Sequence, residues 1–123
     1  MRKILIIEDV EWNRDLLVQI LEEDYELVEA ANGTEGLDKA QSESPDLILM
    51  DMSLPEMDGW ELAGKIRQTE AGKDVPIIAV TAHAMAGDEE RALEAGCNGY
   101  VAKPIDEDVL LDTIQELLGD RGD

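Results

Sequence analysis

Five polar residues that could act together each follow the end of a short apolar block: Glu8, Asp9, Asp51, Thr81 and Lys103. Three are carboxylates, one is a hydroxyl and one is an amine. Carboxylates crowded into one crevice repel phosphate and raise the pKa of at least one of them, unless a hard divalent cation and a lysine compensate. Mg2+ is usually held by one or two carboxylates together with water and phosphate oxygens. If the fold brings these residues together, they predict a Mg2+ site.

Glu8 and Asp9 stand side by side, where their charges repel. A cation site needs dense negative charge, and only one acid of the pair has to touch the ion, because the other can hold its waters. The other interpretation is that such a pair is a solvated turn at a strand end. The joint placement of all five residues favours the cation site.

Strand-like blocks precede these polar residues. Residues 4–7, 47–50 and 77–80 are apolar at every position, which is typical of parallel strands covered by helices on both faces. Residues 25–30 form a more mixed run that predicts a second strand, and residues 100–102 predict a short fifth strand at an edge.

Apolar residues at helical spacing separate the strands and predict five helices. Their members are Trp12, Leu16, Leu17, Ile20 and Leu21; Gly36, Leu37 and Ala40; Leu62, Ala63 and Ile66; Ala92, Leu93 and Ala95; and Val109, Leu110, Ile114, Leu117 and Leu118. Gly96 and Gly119 should end the last two helices. The alternation predicts an α/β, flavodoxin-like doubly wound (βα)5 fold with a central five-stranded parallel sheet of order 2-1-3-4-5. In that order the five polar residues share one sheet edge.

The composition limits the classes of partner. The 123 residues predict one domain, 1–123, and 30 Asp plus Glu against 10 Lys plus Arg give a net charge of -20. Direct binding to nucleic acid or to an anionic membrane would have to overcome this repulsion. Cys97 is the only cysteine and no apolar run is long enough to cross a bilayer, so we expect a cytoplasmic protein.

Four segments closely resemble the receiver (CheY-like) domain of two-component response regulators: IIEDV, LILMDMSLPEMDGWEL, IIAVTAHA and GYVAKPID. The resemblance spans essentially the whole chain, and the acid pair, the aspartate, the threonine and the Lys-Pro pair occur in the family's order. It implies a phosphorylation-dependent signalling switch of a two-component system or phosphorelay. Only GDRGD follows the predicted fifth helix, so we expect a stand-alone receiver.

The resemblance implies a role for each polar residue at the site. Asp51 would accept a phosphoryl group from a phosphohistidine on a sensor histidine kinase or a histidine phosphotransfer protein. Asp9, Asp51 and the backbone carbonyl of Ser53 would ligate Mg2+, for which Mn2+ can substitute, and Glu8 would act through water. Lys103 would neutralise phosphoryl oxygens. Such a protein is a regulatory phosphoacceptor and not an enzyme, although it assists its own phosphorylation and dephosphorylation.

Thr81 and Tyr100 would form the switch that the resemblance implies. The Thr81 hydroxyl, with Lys103, would bind phosphate oxygens, and its inward shift would open space into which Tyr100 rotates. The surface of the fourth helix and fifth strand would then change its binding of a downstream target protein. The family pattern also favours a cis Lys103-Pro104 peptide bond, although the sequence leaves its cis or trans state open.

Ser53 and His83 lie two positions beyond Asp51 and Thr81, where receivers flank the water path to the phosphoryl group. We hypothesise that the His83 imidazole influences the lifetime of the phosphoryl group. The other interpretation is that His83 is a plain surface residue.

Partner contacts are predicted from the first and fifth helices. Trp12 begins the first helix, where kinases or phosphotransfer helices usually dock on receivers, and it is a better candidate anchor than Trp60. The fifth helix carries acids and no Lys or Arg, so a symmetric dimer through it would oppose like charges and we expect a monomer. Its acids are Asp106, Glu107, Asp108, Asp112 and Glu116.

Three other interpretations fit parts of the pattern. A haloacid-dehalogenase-like phosphohydrolase also uses an aspartyl phosphate, but it needs a second acid where Ser53 stands. A flavodoxin would place a hydroxyl- and glycine-rich phosphate loop after the first strand, where EDVEWN stands instead. A degenerate receiver could act as a phosphate-independent scaffold, but the full set of site residues argues against it.

Overall fold

The computed structural model describes residues 2–54, 57–82 and 88–118, the side chains of residues 88 and 89 excepted. The strands are β1 Lys3–Ile7, β2 Glu26–Ala30, β3 Leu47–Asp51, β4 Ile77–Thr81 and β5 Gly99–Ala102. The helices are α1 Glu11–Leu21, α2 Gly33–Ser42, α3 Gly59–Arg67, α4 Asp88–Glu94 and α5 Glu107–Leu118. None of the helices in these residues is long and apolar enough to span a membrane.

The five strands form one parallel sheet of order β2-β1-β3-β4-β5, which confirms the predicted flavodoxin-like α/β fold. Every residue of β3 and β4 is buried, because helices cover both faces of the sheet. β3 and β4 each run one residue beyond the apolar block, so that Asp51 and Thr81 are the last residues of their strands. The carboxyl ends of these strands form the edge at which the predicted site residues collect.

Side chains alternate between the two faces of the sheet and build two core layers. On one face, Ile4, Ile6, Ile78 and Val80 pack with the buried side of α1 and α5. On the other face, strand residues that include Ile7 and Ala79 pack against α2, α3 and α4. We call these the α1/α5 face and the α2–α4 face.

Two glycines fit the predicted helix signals. A Cβ at Gly36 would come within 2.6 Å of Ile7 Cδ1, so the small residue lets α2 pack closely on β1. Gly96 follows α4 with a φ of 106°, a left-handed conformation that favours glycine. Gly119, predicted to end α5, lies outside the described residues.

The predicted apolar stripe of α1 is only partly correct. Leu17 and Leu21 are buried, but Trp12 is 81% exposed and Leu16 is 41% exposed. Trp12 and Leu16 are four residues apart and lie one above the other, so they form a separate line at the margin of the face that covers the sheet. Trp12 is therefore a surface residue and not a core residue.

Arg67, at the end of α3, fixes the segments that lead into β4 and β5. Its guanidinium donates to the carbonyl oxygens of Gly72 at 3.0 Å and Gly96 at 2.7 Å, and to Asn98 Oδ1 at 2.6 Å. Asn98 Oδ1 also accepts from the Ile77 amide at 3.0 Å. These bonds set the starts of the two strands whose far ends lead to Thr81 and Lys103.

Candidate functional site

Three carboxylates meet at the carboxyl edge of the sheet. Oxygens of Glu8, Asp9 and Asp51 lie within 4.8 Å of one another. Glu8 and Asp51 are 1% and 4% exposed, and Asp9 is half-buried. At this distance two charged carboxylates repel by about 3 kcal/mol for an effective dielectric constant near 20. This arrangement is stable only with positive charge close by.

Lys103 supplies part of that charge. Its ammonium lies 3.0 Å from Glu8 Oε1 and 3.4 Å from Asp51 Oδ2. The Lys103 amide donates to the Thr81 carbonyl at 2.7 Å, which ties the β5 end to the β4 end, and the Lys103-Pro104 bond is cis, as the resemblance implied. Burial acts to lower the pKa of Lys103, but the hydrogen bond to Glu8 and the attraction of both carboxylates outweigh it and raise that pKa. The side chain is therefore a cation at neutral pH.

The pKa of Glu8 is raised despite its contact with Lys103. Burial is the largest cause that raises its pKa, and a hydrogen bond and repulsion from Asp51 add to it. The Val10 amide and the Lys103 ammonium act in the opposite direction, yet the pKa is still raised from 4.5 to about 7. The increase that the sequence analysis expected of at least one acid falls on Glu8. The three converging carboxylates make a donor set that suits a hard divalent cation.

Asp51 is held through both of its carboxylate oxygens. Oδ1 accepts from the Ser53 amide at 2.9 Å, and Oδ2 faces the Lys103 ammonium at 3.4 Å. The Ser53 side chain is exposed. A carboxylate fixed at both oxygens keeps one orientation toward the crevice. The predicted role of the Ser53 carbonyl as a metal ligand stays a prediction.

Thr81 and Tyr100 lie on the same face of the sheet. Tyr100 pairs with Ala79 and packs on the α2–α4 face. Thr81 comes two residues after Ala79 and therefore points toward that same face. Thr81 is buried and Tyr100 is half-buried. His83, the remaining candidate site residue, lies outside the described residues.

Two neighbours of the site were missed by the sequence analysis. The Val10 amide donates to Glu8 Oε2 at 3.1 Å, and Arg14 Nη1 donates to the Glu8 carbonyl at 2.9 Å. Arg14 follows the acid pair by five residues, a spacing that does not by itself predict the second contact.

A groove of about 260 Å³ opens beside the carboxylates on the α1/α5 face. Glu8 and Lys103 form its polar end, and most of the remaining lining is apolar. The other lining residues are Trp12, Asn13, Leu16, Leu17, Val80, Pro104 and Ile105. The exposed line of α1 thus belongs to a groove that leads to the site.

Comparisons with known proteins agree with this geometry. Residues 4–115 match the family described as response regulator receiver domain. The polar-differentiation response regulator DivK of Brucella anthropi is 42% identical over 120 residues, which cover 97% of this chain and 98% of DivK.

Two solved structures are similar over nearly the whole chain. The receiver domain of sensor histidine kinase PA1611 from Pseudomonas aeruginosa PAO1, with a magnesium ion coordinated in its active-site cleft, has a TM-score of 0.89 at 38% identity and covers 97% of this chain and 98% of its own. Chemotaxis protein CheY4 of Vibrio cholerae has a TM-score of 0.90 at 30% identity, with 95% and 98% covered.

The surplus of negative charge leads to a prediction about stability. Without divalent ions, Asp51→Asn should raise the free energy of unfolding by about 1 kcal/mol, because one repelling charge is removed. Mg2+ at ten times its dissociation constant should stabilise the unsubstituted protein by about 1.4 kcal/mol and the variant by less. Urea unfolding in EDTA and in MgCl2 measures both effects.

Asp112→Asn is the matched control, because Asp112 is an exposed acid on α5 away from the cluster. It should respond to Mg2+ as the unsubstituted protein does. An equal gain from Mg2+ in Asp51→Asn would contradict a cation site that includes Asp51.

Proposed function

This chain belongs to the response regulator receiver domain family, and on that premise we propose that it is a signalling switch that carries its phosphoryl group on Asp51. The observation that carries this assignment is the fixation of both Asp51 oxygens, by the Ser53 amide and by Lys103, at the end of a buried central strand. Family membership decides against the phosphohydrolase and flavodoxin interpretations. The convergence of the site residues argues against a degenerate receiver.

The proposed reaction is transfer from a phosphohistidine of a sensor histidine kinase or a histidine phosphotransfer protein. A carboxylate oxygen of Asp51 attacks the phosphorus, an O–P bond forms, and the N–P bond breaks. The imidazole nitrogen keeps the electron pair of that bond and takes a proton from solvent. Because this reaction needs alignment and neutralised charge more than covalent assistance, the main work of the chain is to hold Asp51 and Lys103 in place. The protein is thus a regulatory phosphoacceptor that assists its own phosphorylation and dephosphorylation.

We propose Mg2+ as the cofactor, with Mn2+ as a substitute. Asp9, Asp51 and the Ser53 carbonyl would hold it, and Glu8 would hold its waters. When bound, it supplies positive charge next to the transferring phosphoryl group. The surplus of carboxylate charge and the raised pKa of Glu8 support this assignment. The magnesium ion in the cleft of the PA1611 receiver supports it as well.

The proposed output runs through Thr81 and Tyr100. A phosphoryl group adds about -1.5 to -2 charge and three acceptor oxygens, which would draw the Thr81 hydroxyl and the Lys103 ammonium toward it. Both switch residues belong to the face that α4 covers. A shift of Thr81 would therefore alter the α4–β5 surface that a downstream target protein binds, and coupling of this kind is typically about 1 to 3 kcal/mol.

The proposed docking site for the phosphohistidine partner is the groove at Trp12. It is mainly apolar, it opens next to Asp51's neighbours Glu8 and Lys103, and its Trp12 ring is exposed. An amphipathic helix of the partner would cover it. We further propose that the protein is a cytoplasmic monomer that binds neither nucleic acid nor membrane directly. Its charge of -20 opposes self-association and also binding to nucleic acid or to an anionic membrane.

Intact mass after incubation with acetyl phosphate tests the phosphoacceptor. With Mg2+ the unsubstituted protein should gain one phosphoryl group, and without Mg2+ the gain should be largely lost. Asp51→Asn should gain none, and Asp112→Asn should behave as the unsubstituted protein. A phosphoryl adduct retained by Asp51→Asn would refute the assignment of Asp51.

Trp12→Ala tests the docking groove. With a phosphorylated histidine phosphotransfer protein that reacts with the unsubstituted chain, transfer at limiting concentration should slow by about 30-fold, as expected when a hot-spot tryptophan is truncated. Uptake from acetyl phosphate should not change, since that donor needs no docking surface. Leu93→Ala, which truncates an exposed apolar residue on α4, is the control. Equal slowing with both donors would count against a docking role.

The role of His83 stays a prediction from the family pattern. Replacement by alanine should change the rate at which the aspartyl phosphate hydrolyses, because the residue would flank the path of the attacking water. Loss of the mass adduct with time, after removal of the phosphodonor, measures that rate. An unchanged rate in His83→Ala would mean that the histidine is a plain surface residue.

A further inference from the structure

Arg14 joins the acid pair to the second strand. Its Nη1 donates to the Glu8 carbonyl at 2.9 Å, and its Nε lies 3.3 Å from Glu29 Oε1 on β2. The Arg14 side chain is only 18% exposed, although it belongs to a helix surface. We propose that Arg14 is a positioning residue that fixes the Glu8–Asp9 turn for cation binding, an inference that rests on the proposed function.

The polar groups of Glu8 show what Arg14 contributes. The Glu8 amide donates to the Ala30 carbonyl at 3.0 Å, and its two carboxylate oxygens accept from Lys103 and from the Val10 amide. The carbonyl that remains accepts from Arg14. Each polar group of this buried residue therefore has a partner. Without Arg14 the Glu8 carbonyl would lack this hydrogen bond, and the turn would shift until water could replace it.

The turn has little support from the start of α1. Val10 stands at the N-cap position and provides no side-chain cap, whereas Asn32 and Asp58 cap α2 and α3. The Val10 amide is directed to Glu8 instead. Helix capping therefore does not fix the backbone that aims Glu8 and Asp9, and the Arg14 contact takes over part of that task.

Glu29 in turn holds the guanidinium in place. An arginine presents several donors in one rigid plane, so it can bond a carbonyl and a carboxylate at once, which a lysine ammonium on a flexible stem does less well. The Glu29 carbonyl accepts from Lys39 on α2, which anchors this end of β2 from the other face. The contact thus connects α1, β2 and the acid turn.

Positioning and simple electrostatics predict opposite effects of removing Arg14. If the residue acts only as a nearby positive charge, its loss makes the site more negative and Mg2+ binds more tightly. If it positions the turn, its loss lets the carboxylates spread and Mg2+ binds more weakly. The sign of the change in affinity therefore separates the two.

Calorimetric titration of MgCl2 at fixed ionic strength measures that sign. Arg14→Met, which keeps the length of the side chain and removes its donors, should weaken Mg2+ binding by about three- to tenfold. This is less than the 10- to 100-fold change seen when a direct partner of a metal ligand is lost, because Arg14 acts through the backbone. Equal or tighter binding in Arg14→Met would overturn the proposal.

Lys65→Met is the control, because it removes the same charge from an exposed residue on α3 that pairs with Glu61 at the surface. It should bind Mg2+ as the unsubstituted protein does. In acetyl phosphate uptake, Arg14→Met should need more Mg2+ for half-maximal rate and reach the same maximal rate at saturation. A lower melting temperature with unchanged Mg2+ dependence would mean a purely structural role and reject the proposal.

Two further outcomes remain decisive. If Arg14→Met does not fold, Arg14→Lys is measured in its place. Weaker Mg2+ binding by Arg14→Lys would support the proposal, and Mg2+ binding at least as tight as in the unsubstituted protein would overturn it. If the unsubstituted protein itself binds no Mg2+, the proposed metal site fails and the positioning role fails with it. That result differs from a failure confined to the Arg14 variants.

Discussion

Repulsion among three carboxylates at the carboxyl edge of the sheet is the constraint on which the site depends. Three carboxylates converge within 4.8 Å, two of them are buried, and the Lys103 ammonium contacts those two. Burial, with a smaller contribution from Asp51, raises the pKa of Glu8 to about 7. A cluster of this kind costs stability in the folded chain, so the surrounding structure has to hold it together until a cation offsets its negative charge.

The scaffold does this with rigid and mostly uncharged parts. Apolar strands that are buried on both faces cannot shift register without displacing their side chains from the core. Arg67 sets the starts of β4 and β5, and the backbone bond between Lys103 and Thr81 joins their ends. The charged groups are therefore positioned by strands that apolar packing holds in place.

Much of this could be predicted from the sequence, because the convergence of strand ends is a property of parallel sheets. Once the apolar blocks are assigned as parallel strands, Glu8, Asp9, Asp51, Thr81 and Lys103 must share an edge. Trp12 and Leu16 were placed in one stripe with Leu17 and Leu21, since apolar spacing does not tell which line of a broad stripe faces the sheet. The Arg14 contact depends on a long side chain folding back on a turn, and no residue pattern records that.

The two-residue period of a strand would let the proposed site serve both a phosphoryl donor and a target. Val80 faces the α1/α5 side and lines the groove beside Trp12, while its neighbour Thr81 faces the α2–α4 side with Tyr100. A partner in the groove and a partner on α4 would therefore contact opposite faces of the sheet without competing for space. Lys103 lines the groove and also contacts Asp51. A change of charge at Asp51 could therefore affect both faces of the sheet. Val80 and Thr81 are adjacent along the chain and point to opposite faces.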